Sequence, residues 1–578
     1  MSQSRPTLWR VDGDQLVAPF APDAPPQARP DGAVDGAWLQ GDAARGTPEP
    51  VARAGSALAG LYDLAADIEV SPQHPPTVDR EAQALAADPG IDDPELADYC
   101  HLPFITIDEV HSKDLDQALY VEAAGRGHKV YYAIADAAHF VRPGGALFDE
   151  ALRRGSTYYM PGLVLPMLPR LLSEDLVSIN PDVDRRALVF EATLDADGVV
   201  VSSAMRRARV RSRWKTSYDA VQRFFDGAPV DAPRDGDAII ASLEGLREVG
   251  ERRLALAAVR DTIRLRRREL SVRLADDELG FVGMADPRND AERYNEQISL
   301  LANVLGARFL QTPDPRLQPI FRFHQAPDHD RLRRFAGQVK ALSKRHRLDP
   351  RIWRWRRDHE SLADFLARLP DGRGAEDRVI QAIHRQAMLA GGRAGFDTAP
   401  GIHHGVGAAA YARFTAPMRE IVGIFVHKEA CEALGLAPAA PGADDEALRE
   451  RVIQAAERSR GRQRKLDGEI NRRLLDQLFR TDLERRDRRG RPATVMGVTR
   501  TKVHLLLDDP PIDVKVYMRH LEDQHGRRLV AGRDGVTVRR LHGGRAEWTV
   551  GEGVRVRAVE QDRSRDRWRL ELLKADRS

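Results

Sequence analysis

The sequence predicts a multi-domain α+β protein, and three patterns carry that prediction. Its 578 residues exceed what one hydrophobic core can organise, and one domain per ~150 residues gives about four. Short apolar runs of strand type recur from Phe104 to Met205 and again after Pro492. Amphipathic stretches of helical period fill 238–268, 290–310 and 443–489. A hydrophobic share of 42% with a net charge of +2 excludes global disorder. No run reaches the ~18 apolar residues of a membrane span. The opening MSQSRPTLWRVDGDQL has no signal-peptide core, so a cytoplasmic protein is expected. Cys100 and Cys431 are the two cysteines, too few for a disulfide scaffold or a Cys-based zinc or iron–sulfur site.

Taken in order, Leu8–Val17 reads as a hairpin turning on Asp12-Gly13. Pro22, Pro25, Pro26 and Pro30 follow as linker. A helix fits Pro50–Leu64, closed by Pro72, Pro75 and Pro76. Phe104–Ile107 and Val130–Ala135 are buried-strand runs, and Leu147–Arg154 is helical. Leu163–Leu165 is a loop or short edge strand, and Leu188–Leu194 turns back into Val199–Met205. From Ala493 to Leu573 six short strand runs succeed one another, the texture of a small closed barrel.

Charge is unevenly distributed. Residues 1–100 hold 6 basic against 17 acidic residues, whereas 451–578 hold 32 against 20. The basic end therefore suits a polyanion. Of the 89 basic residues 79 are arginine, whose planar fork pairs two phosphate oxygens at once. A solvated basic face accounts for the same composition.

The most chemical stretch is Thr106-Ile107-Asp108-Glu109-Val110-His111-Ser112-Lys113-Asp114-Leu115-Asp116-Gln117. Asp108 ends an apolar strand, and Asp114 and Asp116 share a face of an extended backbone. Carboxylates gathered this way need a counter-charge. Hard oxygen ligands without cysteine or paired histidine favour Mg²⁺ or Mn²⁺ over Zn²⁺. A solvated Asp-rich loop has the same spacing, so the motif alone decides little.

This stretch resembles the signature that opens the catalytic domain of the ribonuclease II / ribonuclease R family. The resemblance continues in order through Tyr132–His139, Gly155–Pro161, Pro166–Pro169, Leu172–Pro181 with Asp184-Arg185, Glu296–Asn303, Arg322–His324 and Tyr411–Arg419 with His427. It implies a catalytic domain over 91–440 of mixed strands and helices, extended by helix over 441–489. It further implies an S1-type OB β-barrel over 490–578, its phosphate-tracking candidates being Arg527, Arg528, Arg539, Arg540, Arg555 and Arg557. Residues 1–90 are left for one small acidic module, helix-turn-helix-like or a single OB barrel.

The activity implied is processive, hydrolytic 3′→5′ exoribonuclease action on single-stranded RNA with a free 3′ end, releasing 5′-nucleoside monophosphates. No membrane or protein partner is implied, and the chain is expected to be a monomer. Carried over residue by residue, Asp108, Asp114 and Asp116 would hold metal and activate water, with Gln117 as a weaker fourth ligand. Arg419 would contact the scissile phosphate. Tyr159 would hold the 3′-terminal nucleotide and Tyr218 would stack on bases further back. Arg322, His324 and, on a looser match, Glu469 complete the expected RNA contacts.

The chain departs from the family pattern at three places. Gln117 stands for the fourth aspartate, Glu420-Ile421 for a basic residue and a tyrosine, and Leu270-Ser271-Val272 for a segment with a base-stacking phenylalanine. The rival reading is thus a catalytically weakened RNA-binding protein of the same fold. An unrelated metal-dependent phosphatase built on Asp114-x-Asp116 is the remote third.

Overall fold

The computed structural model describes residues 7–41, 48–230, 236–260, 262–263, 265–266, 268–311, 314–437, 442–543, 545–562 and 567–575. The chain forms two compact units, each drawn from several stretches. The first comprises residues 1–259, 288–324 and 394–467; the second comprises 260–287, 325–393 and 468–578.

The first unit opens with five antiparallel strands: Thr7–Asp12, Gln15–Val17, Gln27–Ala28, Trp38–Gly41 and Glu49–Ala52. Their spatial order is third, second, first, fourth, fifth. Asp12 faces Gln15 across the expected hairpin, with Gly13 at φ +58°, a left-handed value natural to glycine. The helix expected over Pro50–Leu64 is displaced. Pro50 lies in the edge strand, where its missing N–H costs no ladder bond. The helix runs instead over Ala57–Asp67, where Ser56 caps it by accepting from Ala59 N at 3.0 Å.

The centre of this unit is a ring of strands. Asp184–Leu194 pairs with Gly127–Ala135, which pairs with Gln117–Ala124, then Phe104–Asp108, then Val200–Ser217. Val200–Ser217 pairs back with Asp184–Leu194, closing the circuit. Closure explains why Phe104–Ile107 is buried at every position rather than alternating. Its inner and outer faces both meet apolar partners, the latter including the helices Gly236–Val259 and Asp290–Phe309. The amphipathic pattern expected over 238–268 is helical to Val259, and 261, 264 and 267 lie outside the described residues. A Cβ on Gly306 would fall 2.3 Å from the Phe414 ring. That helix therefore comes close enough to seat Phe414 against Phe190, ring centres 5.5 Å apart.

The second unit holds a hairpin, Leu270–Leu274 with Phe281–Ala285, and helices that include His329–Arg345 and Ala375–Ala390. Its C-terminal part has an antiparallel sheet of Asp513–Tyr517, Lys502–Leu507, Arg491–Val498, Gly553–Asp562 and Arg567–Lys574, in that spatial order. A separate three-stranded sheet comprises Leu529–Ala531, Thr537–Arg540 and Ala546–Thr549. The sequence reading missed the helix Met518–His525, which begins where a strand was expected to end. Gly526, at φ +60°, terminates it in the left-handed conformation. The helix Gly442–Glu484 passes from the first unit into the second. Among the described residues no helix is long and apolar enough to cross a membrane.

Candidate active site

The acidic segment joins two ring strands, and its shape is fixed by polar clamps rather than by regular structure. Ser178 Oγ donates to Lys113 O at 2.8 Å and accepts from Leu115 N at 3.0 Å. Lys215 Nζ donates to the carbonyls of Val110, at 3.1 Å, and Ser112. Asp108 terminates its strand, with Oδ1 accepting from Glu109 N at 2.7 Å and Ser112 Oγ at 2.9 Å.

Asp116 lies deepest, 2% exposed. Its Oδ1 accepts from Met418 N at 3.1 Å, and its Oδ2 accepts from Arg419 Nε at 2.5 Å. Burial pushes the Asp116 carboxyl up to about 6, against the pull of Arg419 and the Met418 amide. The Arg419 guanidinium is held above its ordinary value by Asp116 first, with Tyr159, Asp114 and Asp108 adding to the effect against burial. The three expected aspartates thus share one neighbourhood, centred on one arginine.

Arg419 is delivered by a loop tied to the backbone of 155–157. Thr157 N donates to Arg419 O at 2.9 Å, and Ile421 N to Gly155 O at 3.1 Å. Gly155 takes φ +79°, and a Cβ there would meet Ala455 O at 2.6 Å, so glycine is required on two counts. Asn303 holds the preceding loop, donating to Tyr411 Oη at 3.0 Å and accepting from Phe414 N at 2.7 Å. His427 Nε2 meets Phe414 O at 2.8 Å from within the core.

Tyr159 sits in a hairpin of Tyr158–Met160 with Leu163–Leu165. Strand alternation buries Tyr158, whose Oη donates to Arg154 O at 2.7 Å, and turns Tyr159 outward at 44% exposure. The Tyr159 hydroxyl donates to Asp114 Oδ2 at 2.9 Å. Tyr218 begins the helix Tyr218–Phe225 and accepts from Asn295 Nδ2 at 3.1 Å. Burial, then Asp108, pushes its phenol up to about 12.

Gln117 faces inward. Its amide donates to Thr415 O, and its oxygen accepts from the hydroxyls of Tyr132 and Ser299. A ligand role would require giving up those bonds. Among the described residues, the three carboxylates whose oxygens all lie within 4.8 Å are Glu429, Glu432 and Asp445. Lys428 occupies their midst, at 2.9, 2.9 and 2.7 Å, so an ammonium already neutralises that group. Asp108 and Asp114 each keep one carboxylate oxygen clear of any described hydrogen bond. Two such hard anionic donors beside a buried third fit a divalent cation of the Mg²⁺ or Mn²⁺ kind.

Glu420 forms a two-bond pair with Arg413, through Arg413 Nε at 3.1 Å and Nη2. Although burial pushes the Glu420 carboxyl up, Arg413 pulls it below its ordinary value, helped by Arg322 and Arg419. Glu420 therefore does not compete with Asp116 for Arg419. The sequence reading missed Arg413, whose signal was a basic residue seven positions before the unexpected acid.

The remaining expected residues sit elsewhere. Arg322 lines a cavity that also reaches Arg419 and Tyr159. His324 accepts from Gly405 N at 3.1 Å, with its ring 5.6 Å from that of His403. Glu469 belongs to the second unit and pairs with Arg472 at 2.8 Å. In that unit the expected phosphate contacts are largely engaged. Arg539 pairs with Asp534, Arg540 with Glu547 and Arg557 with Glu571, and Arg555 donates to the carbonyls of Arg489 and Gly490. Three other cations, Lys502, Arg519 and Arg567, gather 5.1–5.4 Å from the centre of the Tyr517 ring. Composition gave no sign of that cluster, because its members are far apart in sequence.

Comparison with known proteins gives these residues a context. Ribonuclease R of Escherichia coli strain K12 is 28% identical over 494 residues, covering 80% of this chain and 56% of that protein. Exoribonuclease 2 of Enterobacter sp. strain 638 is 32% identical over 377 residues, covering 63% of this chain and 54% of that protein. The chain thus spans about half the length of the curated relatives it matches. Mycoplasma genitalium RNase R, solved with ribose-methylated single-stranded RNA, superposes with a TM-score of 0.78 at 19% identity, covering 99% of this chain and 90% of that one. Yeast Ssd1, described as a pseudonuclease, shares the fold at a TM-score of 0.59 and 14% identity, covering 93% and 67%. A fold common to nucleases and a pseudonuclease leaves activity to the residues. The RNB domain family matches residues 96–434, more than half of the sequence, and the chain belongs to that family.

Proposed function

We propose that this protein is a hydrolytic, processive 3′→5′ exoribonuclease, degrading single-stranded RNA with a free 3′ end to 5′-nucleoside monophosphates as a cytoplasmic monomer. The observation that carries the reading is the buried Asp116–Arg419 contact, with Asp108 and Asp114 acting on the same guanidinium.

Arg419 keeps 37% of its side chain open, so its remaining N–H groups can bind the scissile phosphate while Asp116 fixes their direction. Preorganising the guanidinium in this way avoids reorganising it as charge builds on the phosphoryl oxygens. Tyr159, its hydroxyl oriented by Asp114, offers a ring face for the terminal base or sugar. Tyr218 offers a second face further back. Asp108 and Asp114, with Asp116 behind them, would hold a divalent cation, Mg²⁺ by preference. When bound, such an ion neutralises charge on the phosphate and lowers the pKa of water. In the second unit, Tyr517 with its three cations has the composition that sequence-tolerant single-strand contacts use.

The test is digestion of end-labelled RNA bearing a 3′-hydroxyl, with Mg²⁺ or with chelator. Mononucleotides released from the 3′ end only with metal support the reading. Salt-sensitive RNA binding without product, in Mn²⁺ as well, would favour the rival reading of a weakened RNA-binding member. Gln117 gives that rival its one specific observation, an amide turned inward where a fourth carboxylate was expected.

A further inference from the structure

Behind Arg419, on the side away from its contact with Asp116, lies a cavity of about 440 Å³ within the first unit. Four guanidinium groups line it, those of Arg322, Arg413, Arg419 and Arg460, against one carboxylate, that of Glu420. Arg413 is matched by Glu420, and Arg460 meets Glu457 at 3.2 Å. Arg322 has no carboxylate partner and no side-chain hydrogen bond among the described residues. It lies over the Phe396 ring with its guanidinium carbon 5.4 Å from the centroid. Burial, then Arg413 and Arg460, holds Arg322 below its ordinary pKa, the mark of a cation crowded by others without its own anion.

The size and charge of this cavity select a ligand. Its volume falls at the small end of ligand pockets, roughly 300–1,000 Å³, enough for one nucleotide and too little for a strand. A phosphodiester carries one negative charge, whereas a phosphomonoester carries about 1.5–2 at neutral pH. Surplus positive charge therefore favours the phosphate after cleavage over the one before it. Phe396 supplies an apolar face for a base or ribose. Arg419 and Tyr159 line both this space and the reaction centre, so a released nucleotide need move only a short way to enter.

We propose that this arginine-lined cavity is a binding site for the 5′-nucleoside monophosphate product, with Arg322 and Arg460 gripping its phosphomonoester. The identity of the product rests on the nuclease reading above; the preference for a phosphomonoester rests on the cavity alone.

The experiment is equilibrium titration of the full chain with adenosine 5′-monophosphate, adenosine 3′,5′-cyclic monophosphate, adenosine and inorganic phosphate, without metal or RNA. The monophosphate is expected to bind about tenfold tighter than the cyclic diester. Inorganic phosphate should displace it, and adenosine should not bind measurably. Arg322→Gln and Arg460→Gln should each weaken the monophosphate about tenfold, and Arg322→Lys should restore part of the loss. Should Arg322→Gln fail to fold by circular dichroism, the half-exposed Arg460 carries the comparison. Equal affinity for monoester and diester, or variants that bind like the parent, overturns the site. Displacement by phosphate with no gain from the nucleoside would reduce it to an inorganic-phosphate site and overturn the nucleotide assignment. Monophosphate binding in a chain that hydrolyses no RNA would sink the nuclease reading and leave this site standing; hydrolysis without monophosphate binding would do the reverse.

Discussion

Arg419 donates from Nε to Oδ2 of Asp116 at 2.5 Å, joining residues 303 positions apart, while the neighbouring Met418 amide holds the other carboxylate oxygen. Replacing the carboxylate by an isosteric amide keeps the shape and removes the charge that aims the guanidinium. Asp116→Asn is expected to lower hydrolysis by about 10²–10³-fold, the scale of losing one preorganised contact to developing charge. RNA affinity should fall far less, because most phosphate contacts lie elsewhere. Single-turnover rates beside equilibrium binding separate the two effects.

The same carboxyl gives a pH signature. Its folded value, about 6, lies above its ordinary value of 3.8, so between these values the folded state holds more protons than the unfolded. The contribution to stability is fully present below about 3.8 and is lost as pH rises through about 6. Activity runs the opposite way, since only the ionised form can hold Arg419. Denaturant midpoints of the parent relative to Asp116→Asn should therefore fall from pH 4 to pH 7, while the rate of the parent rises through pH 6. A flat difference between the two proteins would contradict this assignment.

Arg413 and Glu420 are expected to behave as a unit. Each is about one-third exposed, so solvent tempers their attraction, but removing one leaves the other facing a site already rich in guanidinium groups. Glu420→Gln should destabilise the protein and also disturb phosphate binding, by releasing Arg413 toward the cavity. Arg413→Gln combined with Glu420→Gln should recover part of the loss, with a coupling of about 1–3 kcal/mol. Urea unfolding of the four proteins in the cycle measures it.

Legibility followed locality. Strands whose burial is written in consecutive residues, such as Phe104–Ile107 and Val130–Ala135, could be read directly, as could the turn at Asp12-Gly13. The aspartates, Tyr159 and Arg419 could be chosen because their spacing resembles a family signature. What sequence could not show is how distant side chains answer one another. Glu420 looked like an intruder beside a phosphate-binding arginine until Arg413 was found on it. Gln117 looked like a poor metal ligand until Tyr132, Ser299 and Thr415 were found to hold its amide. Helix boundaries shifted for similar reasons, as at Ser56, whose cap overrode the more upstream start suggested by Pro50.

Gln117→Asp gives a counter-intuitive expectation. The substitution recreates the family's fourth carboxylate, yet the shorter anionic side chain cannot donate to the Thr415 carbonyl. It would instead oppose that carbonyl in a half-buried setting. Loss of the donor and exposure of an acceptor should cost about 1–3 kcal/mol, without a gain in hydrolysis. A variant that is both as stable as the parent and faster in Mg²⁺ would show that the residue turns to the metal after all.

The contact between Tyr159 and Asp114 can be resolved by two substitutions. Tyr159→Phe keeps the ring and loses one charge-assisted hydrogen bond, so KM for short RNA should rise by about tenfold or less. Tyr159→Ala removes the stacking face as well, worth about 1–3 kcal/mol per base, and should raise KM further with little change in the single-turnover rate. Equal effects of the two would mean that the ring itself does not meet the substrate.

Arg154 connects this contact to the rest of the fold. Its side chain is completely buried and donates to the carbonyls of Ser71 at 2.7 Å, Gln73 at 2.6 Å and Pro166 at 2.9 Å, and to Glu150 at 2.7 Å. Its own carbonyl accepts the Tyr158 hydroxyl, and Tyr158 adjoins Tyr159 on the opposite face of the same strand. One guanidinium thus fixes the segment after the first long helix, the end of the helix Ala146–Arg154, and the hairpin that presents the outward tyrosine. Arg154→Met fills much of the volume but leaves three carbonyls and a buried carboxylate without their donor, each omission costing about 1–3 kcal/mol and not adding simply. The 71–73 segment should become the first point of cleavage in limited proteolysis, before global unfolding by heat. Because the hairpin loses its anchor while Asp116 and Arg419 keep theirs, KM for RNA should rise more than kcat falls. A drop confined to kcat, with 71–73 still protected, would place the importance of Arg154 at the reaction centre rather than in the hairpin.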